Sequence, residues 1–197
     1  MNSPTDIVKI AVRAITPIDT LEAEHKQDVL AWLESGSPLF RISKPDNPPK
    51  HLVSYFVLFD EANQALMLID HIKATLWLPT GGHVDIDEDP RTTVVREADE
   101  ELKIAADFST PFGDNPLFVT VTTTKNAGTH TDVSLWYVIK GSVHEPLDFD
   151  PGEMNGYRWL SISDILATDI TTLDPHMHRF TKKLQQHLAT LTATGQA

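Results

Sequence analysis

An acidic segment near the middle of the chain constrains the fold more than any other feature. Asp89 is suited to cap a helix, because its side chain accepts bonds from backbone N–H groups that lack helical partners. Pro90 is suited to the first turn, where its missing N–H costs nothing. The sequence therefore predicts a helix from Pro90 to about Lys103.

Three glutamates on this helix are spaced so that they act together. Glu97, Glu100 and Glu101 stand at positions i, i+3 and i+4, and their carboxylates share one face. Taken alone, such a helix is more often a solvated surface. Like charges at this spacing repel each other, and Mg²⁺ offsets the repulsion because it prefers oxygen ligands. The face is therefore a candidate magnesium site.

Residues before the helix strengthen this interpretation. Gly81 and Gly82 lack side chains, so a loop there can bring its backbone close to a ligand and expose carbonyl oxygens. Arg96 lies four residues before Glu100 and can brace that side chain or the loop carboxylate of Glu88. No Gly-Lys-Ser/Thr phosphate loop accompanies these glycines, so metal ions are expected to bind the phosphates.

The rest of the chain predicts strands around this helix and further helices at both ends. The expected strands are His51–Phe59, Ala65–Asp70, Leu76–Leu78, Phe118–Thr124, Val133–Ile139 and Tyr157–Leu160, with a turn at Lys125–Gly128. The expected helices run from Asp19 or Thr20 to about Glu34, from near Ser161 or Ser163, and from Pro175 to Leu191. This order is typical of the α+β class with a mixed sheet.

Three prolines between Ser43 and Lys50 predict a linker, because proline interrupts regular structure. We expect residues 1–45 to form an N-terminal helical extension and the linker. Residues 46–197 are then expected to form the main domain with its C-terminal helix.

The acidic segment resembles the signature of a known family, the Nudix hydrolases. A glycine, five residues, a glutamate, seven residues and then Arg-Glu-x-x-Glu-Glu form the Nudix box. Its fixed positions are occupied here by Gly82, Glu88, Arg96, Glu97, Glu100 and Glu101. Ala98 and Ile104 take its apolar positions. The resemblance implies a Nudix-like α/β/α sandwich with a mixed β-sheet, extended at the N-terminus by a helix.

One fixed position of the box departs from the family pattern. Lys103 stands where the box has a glycine, which implies a left-handed helix end. Lysine in that conformation costs about 1 kcal/mol, unless the helix ends differently. No metal ligand is lost by this change, so we expect altered stability or loop shape. Asp87 also stands where relatives often carry glycine.

The resemblance implies a pyrophosphohydrolase that depends on Mg²⁺ or Mn²⁺. Its substrate is expected to be a nucleoside diphosphate linked to another moiety, either a nucleoside triphosphate or a compound like ADP-ribose. The implied metal ligands are Glu97, Glu100, Glu101 and the backbone of Gly82. The implied catalytic residues are Glu97, Glu100, Arg96 and Glu153. Glu153 lies in a late loop, and the alternative interpretation of that loop is a solvated turn without a catalytic role. A nucleotide-sensing Nudix-like module without catalysis is the alternative.

Composition limits the partners. The net charge of −12 argues against nucleic acid, and without cysteine there is neither a thiolate zinc site nor the nucleophile of isopentenyl diphosphate isomerase. The N-terminus lacks a signal sequence and no segment is apolar enough to span a bilayer, so we expect a cytoplasmic protein without membrane contact. The nine histidines show no His-Glu-x-x-His spacing, which predicts no zinc site, although His83 follows Gly82 and is a candidate substrate contact. The family resemblance also implies that a homodimer can form.

Overall fold

A computed structural model of the chain describes residues 3–43, 47–124 and 129–194. The strands are β1 (Lys50–Asp60), β2 (Ala65–His71), β3 (Leu76–Leu78), β4 (Thr80–His83), β5 (Phe118–Thr123), β6 (Thr131–Lys140) and β7 (Met154–Ser161). The helices are α1 (Pro4–Ala14), α2 (Thr20–Glu34), α3 (Pro90–Leu102), α4 (Ile162–Ala167) and α5 (Met177–Thr194), with a 3-10 turn at Ile170–Thr172. No helix among these described ranges has the length and apolarity needed to cross a membrane.

The seven strands belong to one sheet. Its hydrogen-bonded order is β3-β2-β1-β6-β5, and β4 and β7 pair with β1 and β2 beside this path. Together with the helices, the sheet gives the α+β class, and the expectation of a sheet with helices at the N-terminus is confirmed.

The chain divides into two compact units. The first unit comprises Met1–Tyr55, Gly81–Val94 and Asn115–Tyr137, and the second comprises Phe56–Thr80, Val95–Asp114 and Val138–Ala197. The division falls within single elements: the residues of α3 up to Val94 belong to the first unit, and those from Val95 belong to the second. The expected boundary near residue 46 stays a prediction.

In the first unit, the two N-terminal helices pack on each other, and the second of them packs on a strand. Helix α1 contacts α2, and α2 contacts β5. Strand β5 pairs antiparallel with β6, in a register that places Phe118 opposite Trp136. The carboxylate of Glu22 is buried and accepts bonds from the backbone N–H groups of Ile18 at 2.7 Å and Val119 at 3.4 Å. This carboxylate therefore joins α2 to the segment just before it and to strand β5 at the end of the sheet order.

The second unit is built on β2, whose first five residues are buried. Strand β2 pairs antiparallel with β3 on one side and with β7 in a register that places Leu66 opposite Leu160. Helix α4 contacts β7 and α5. Phe180 and Leu184 of α5 are fully buried, so the C-terminal helix belongs to the core of this unit.

Most of the predicted elements are confirmed within two or three residues, but helix α1, strand β4 and the 3-10 turn were not predicted. Helix α1 begins with a capping box, in which Ser3 Oγ accepts from Asp6 N and Asp6 Oδ2 accepts from Ser3 N, each at 3.2 Å. Strand β4 occupies Thr80–His83, where a glycine loop was expected. The turn predicted at Lys125–Gly128 lies outside the described residues, as does part of the predicted linker.

Candidate active site

The start of α3 is fixed by residues of the first unit. Asp89 acts as predicted, since its carbonyl accepts from Thr93 N at 3.1 Å and its Oδ1 accepts from Arg91 N at 2.9 Å. The buried hydroxyl of Ser54, on β1, donates to the carbonyl of Pro90 at 2.8 Å. The first turn of the box helix is therefore attached directly to a strand.

Glu88 closes the loop that precedes this helix. Its Oε2 accepts from the backbone N–H of Asp85 at 3.1 Å and from the hydroxyl of Thr93 at 2.7 Å. One carboxylate oxygen thus joins the loop to the first helical turn. Asp87 has a φ of +61°, the left-handed conformation that favours glycine, which explains why glycine suits this position.

The two glycines before the loop lie in strand β4, and one of them is required by packing. Gly81 has a φ of +147°, and a Cβ added there would lie 2.1 Å from the carbonyl oxygen of Ser54. This close approach is to the neighbouring strand, whereas the sequence suggested an approach to a ligand. Gly82 follows in the same strand and is half-buried, and its carbonyl as a metal ligand stays a prediction.

The second unit carries the turn of α3 with the predicted carboxylates. One nitrogen of Arg96, Nη1, lies 2.7 Å from Glu97 Oε1 and 3.3 Å from Glu100 Oε2. The Glu97 side chain is 11% exposed and that of Glu100 is 58% exposed. The guanidinium therefore contacts two carboxylates, one almost buried and one exposed. Its contact with Glu100 is one of the two that the sequence predicted.

The late loop that carries Glu153 lies against the end of this turn. The backbone N–H of Asp150 donates to the carbonyl of Glu101 at 2.9 Å, and Glu153 N donates to Asp150 O at 3.2 Å. The Glu153 carboxylate accepts from Lys73 Nζ, which lies 3.1 Å from both of its oxygens. Burial lowers the pKa of nearby His71, although the charge of Glu153 opposes that shift. The loop is thus anchored to the box helix by one main-chain bond.

Helix α3 ends in the left-handed conformation that the family glycine implied. Lys103 has a φ of +54°, and its N–H donates to the carbonyl of Asp99 at 3.2 Å. Its ammonium group donates to the carbonyl of Glu100 at 2.9 Å. The strained backbone is therefore partly offset by a second capping bond from the side chain, which glycine lacks.

A cluster of histidines in the first unit was missed by the sequence analysis. We call His51, His83, His130 and Asp132 the histidine cluster. His51 Nε2 lies 3.1 Å from His83 Nε2 and 3.1 Å from Asp132 Oδ1, and His130 Nε2 lies 3.4 Å from the same oxygen. The spacing of these residues along the chain gave no signal, because they come from separate parts of the chain that the sheet brings together.

The surroundings shift the pKa values of two of these histidines in opposite directions. Burial, together with the charge of Arg41, lowers the pKa of His83 to about 4. Burial also lowers the pKa of His51, but hydrogen bonds with Asp132 and Pro48 outweigh it, so the pKa of His51 is raised overall. His83 is therefore a neutral imidazole at neutral pH, and its role as a substrate contact stays a prediction.

Comparison with known proteins identifies the family. The model of the NUDIX domain matches residues 49–184. The MutT NUDIX hydrolase of Burkholderia pseudomallei aligns with a TM-score of 0.54 and 20% identity, covering 68% of this chain and 97% of that one. An Ap4A hydrolase of C. elegans aligns with a TM-score of 0.52 and 17% identity, covering 71% and 98%. The NUDIX domain of Shewanella oneidensis NrtR, cocrystallised with ADP ribose, aligns with a TM-score of 0.51 and 15% identity, covering 79% and 92%. No curated protein sequence matched the chain.

At these identities the structural likenesses establish the fold, and the domain match establishes the family. The matched segment, residues 49–184, spans more than half of the chain and includes the whole box from Gly82 to Ile104. The chain belongs to the NUDIX domain family and is a Nudix hydrolase by its domain and its fold.

Proposed function

We propose that this protein hydrolyses a phosphoanhydride bond in a nucleoside diphosphate linked to another moiety, and that it requires Mg²⁺. The observation that carries the proposal is the turn of α3 on which Arg96 Nη1 contacts both Glu97 and Glu100. The loop of Glu153 is bonded to Glu101 on the same turn. Four carboxylates are therefore available on one helical turn and the loop attached to it.

These residues fit a hard divalent cation. Carboxylate oxygens are the ligands that Mg²⁺ prefers, with open positions filled by water and substrate phosphates. The Arg96 guanidinium lies against two of these carboxylates, at 2.7 Å and 3.3 Å, and offsets part of their negative charge. Glu97 and Glu101 are the proposed direct ligands, together with Glu100 and the carbonyl of Gly82. A bound Mg²⁺, or Mn²⁺ in its place, would neutralise the diphosphate and polarise the attacking water.

The chain's own groups then orient the reactants and take up the proton. Water attacks phosphorus in line with the bridging oxygen, the bond to that oxygen breaks, and the water proton passes to a carboxylate. Glu100 and Glu153 are the two candidates for this base. Lys73, at 3.1 Å from the Glu153 oxygens, holds that side chain in place. Arg96 is a positioning residue, since it fixes the directions of Glu97 and Glu100.

The substrate class follows from chemistry and from the names of similar structures. Two of them are an Ap4A hydrolase and a NUDIX domain with ADP ribose bound. Each of these small molecules contains a nucleoside diphosphate joined to a further group, which supports the proposed class. Within this class, a nucleoside triphosphate and a compound like ADP-ribose are the two substrates proposed. A cytoplasmic location, a homodimer and the lack of nucleic-acid and membrane partners stay predictions.

The test is a substrate panel with the full-length protein. ADP-ribose, Ap4A and the nucleoside triphosphates are incubated with Mg²⁺, with Mn²⁺ and with chelator, and the phosphate-containing products are separated. We expect cleavage of one class only when the divalent cation is present. Tight binding of a nucleotide without any product would favour the nucleotide-sensing alternative and contradict the proposal.

Variants assign the activity to the box. Glu100→Gln and Glu101→Gln each remove one negative charge from the candidate site, and we expect kcat to fall by at least about 10²-fold in each. Asp99→Asn is the matched control, because it removes the same charge from an exposed position of the same helix. Full activity of both glutamine variants, or an equal loss in Asp99→Asn, would contradict the assignment.

A further inference from the structure

The histidine cluster brings metal-binding atoms from three strands together within the first unit. One ligand atom each from His51, His83 and Asp132 lie within 4.8 Å of one another. His51 is fully buried, and the Asp132 side chain is 15% exposed. The three residues come from β1, β4 and β6. All of them belong to the first unit, so the cluster is a property of that unit alone.

The tautomer of His51 is fixed by its other ring nitrogen. His51 Nδ1 lies 2.9 Å from the carbonyl oxygen of Pro48, which can only accept. Nδ1 therefore carries the proton, and Nε2 of the neutral ring presents a lone pair towards Asp132 and His83. A histidine that donates one N–H to a backbone carbonyl and offers the other nitrogen is the usual arrangement of a metal ligand.

A neutral His51 places its Nε2 lone pair 3.1 Å from a carboxylate oxygen, and two acceptors this close need a proton or a metal ion between them. A neutral His83 can donate its own N–H to only one of these two atoms. The three ligand atoms lie within 4.8 Å of one another, close enough to converge on one metal ion. Tetrahedral Zn²⁺ with bonds of about 2.0–2.1 Å separates its ligand atoms by about 3.3 Å. The separations from His51 Nε2 are 3.1 Å to His83 and 3.1 Å to Asp132, while the ligand atoms of His83 and Asp132 lie within 4.8 Å of each other, so these two side chains would close around the ion.

We propose that His51, His83 and Asp132 bind a Zn²⁺ ion, through a set of donor atoms that shares none with the proposed magnesium ligands. Imidazole nitrogen with one carboxylate is a donor set that suits zinc and related transition metals, whereas Mg²⁺ takes oxygen ligands. Three protein ligands leave a fourth position for water or another donor. His130, 3.4 Å from Asp132 Oδ1, positions the carboxylate. The proposal does not rest on the proposed hydrolase activity.

The test measures metal binding by the full-length protein without any substrate. The metal-free protein is titrated with Zn²⁺ by calorimetry in excess Mg²⁺, which occupies the carboxylate site. We expect one equivalent of Zn²⁺ to bind, and Zn²⁺ to raise the melting temperature because it binds only the folded chain. Co²⁺ added in place of Zn²⁺ is expected to give the intense visible absorption of a tetrahedral nitrogen and oxygen site. An octahedral carboxylate site gives only weak bands.

Variants separate this site from other histidines. Asp132→Asn and His83→Asn each remove one ligand and are expected to weaken Zn²⁺ binding by at least about 100-fold. His144→Asn, which changes an exposed histidine of the second unit, serves as the matched control and should bind as the wild type does. Absence of Zn²⁺ binding and of the tetrahedral Co²⁺ spectrum in the wild type would overturn the proposal and leave a proton on His51 as the bridging charge. Unchanged binding in both ligand variants would overturn it as well.

Discussion

Asp174 is a buried acid whose ionisation opposes folding. Its Oδ1 accepts from His176 N at 2.7 Å, just before α5, while the residue is only 8% exposed. Burial raises the pKa of this carboxyl to about 6 from 3.8, and the bond from His176 only partly opposes the shift. The folded chain therefore binds a proton more tightly than the unfolded chain does. The stabilising contribution of the protonated acid is complete below pH 3.8 and is lost as the pH rises through about 6.

Asp174→Asn tests this reasoning, because asparagine keeps an oxygen acceptor for His176 and cannot ionise. A shift of roughly two pKa units corresponds to about 3 kcal/mol in the free energy of unfolding. We expect Asp174→Asn to gain stability relative to the wild type as the pH rises. About half of that gain should appear between about pH 5 and pH 7.5, since the remainder falls closer to the unfolded pKa.

The assay is urea unfolding of both proteins at a series of pH values, followed by circular dichroism. Asp169→Asn is the control, since this exposed acid caps the 3-10 turn and its bonds with Thr171 lower its pKa. Its contribution is complete above pH 3.8 and is lost only as the pH falls through its folded pKa. Its difference from the wild type should therefore stay flat over the same range. A flat or decreasing difference for Asp174→Asn would refute the argument.

Three further substitutions test the box region. Lys103→Gly should raise the free energy of unfolding by up to about 1 kcal/mol in urea unfolding, because glycine adopts the positive φ without strain; a loss of stability would show that the bond to Glu100 outweighs the strain. Gly81→Ala should cost about 3 kcal/mol or more in the same assay, because its Cβ would collide with the Ser54 carbonyl; a cost near zero would contradict the packing. Arg96→Lys should lower kcat by roughly 10²-fold with little change in KM, since it misplaces carboxylates without removing one; a rise in KM alone would point instead to substrate binding.

Local sequence signals were sufficient to predict the box helix. Asp89 and Pro90 fix its start through short-range bonds, and the i, i+3, i+4 spacing of the glutamates fixes their face. The left-handed conformation of Lys103 was likewise implied by the family glycine. The cap and the glutamate spacing depend on residues at most a few positions apart, which is why one sequence predicts them, whereas the conformation of Lys103 was expected from the family pattern alone.

Features that depend on distant residues were not predictable in this way. Gly81 is needed because Ser54 lies beside it, and the sequence gives no measure of that approach. The histidine cluster joins His51 to Asp132 across strands whose pairing order no local pattern specifies. Helix α1 is a different case, because Ser3 and Asp6 provide a local capping box that the sequence analysis overlooked.

The bonds of Glu88 set the length of the segment between the glycine strand and the box helix. One of its oxygens accepts from the N–H of Asp85 and from the hydroxyl of Thr93, so the side chain closes this segment into a hydrogen-bonded ring. Residues inserted between Asp85 and Thr93 would have to break one of these two bonds and release the first turn of the helix. Changes in substrate preference are therefore better engineered in other loops, where chain length is not tied to the reach of a single carboxylate.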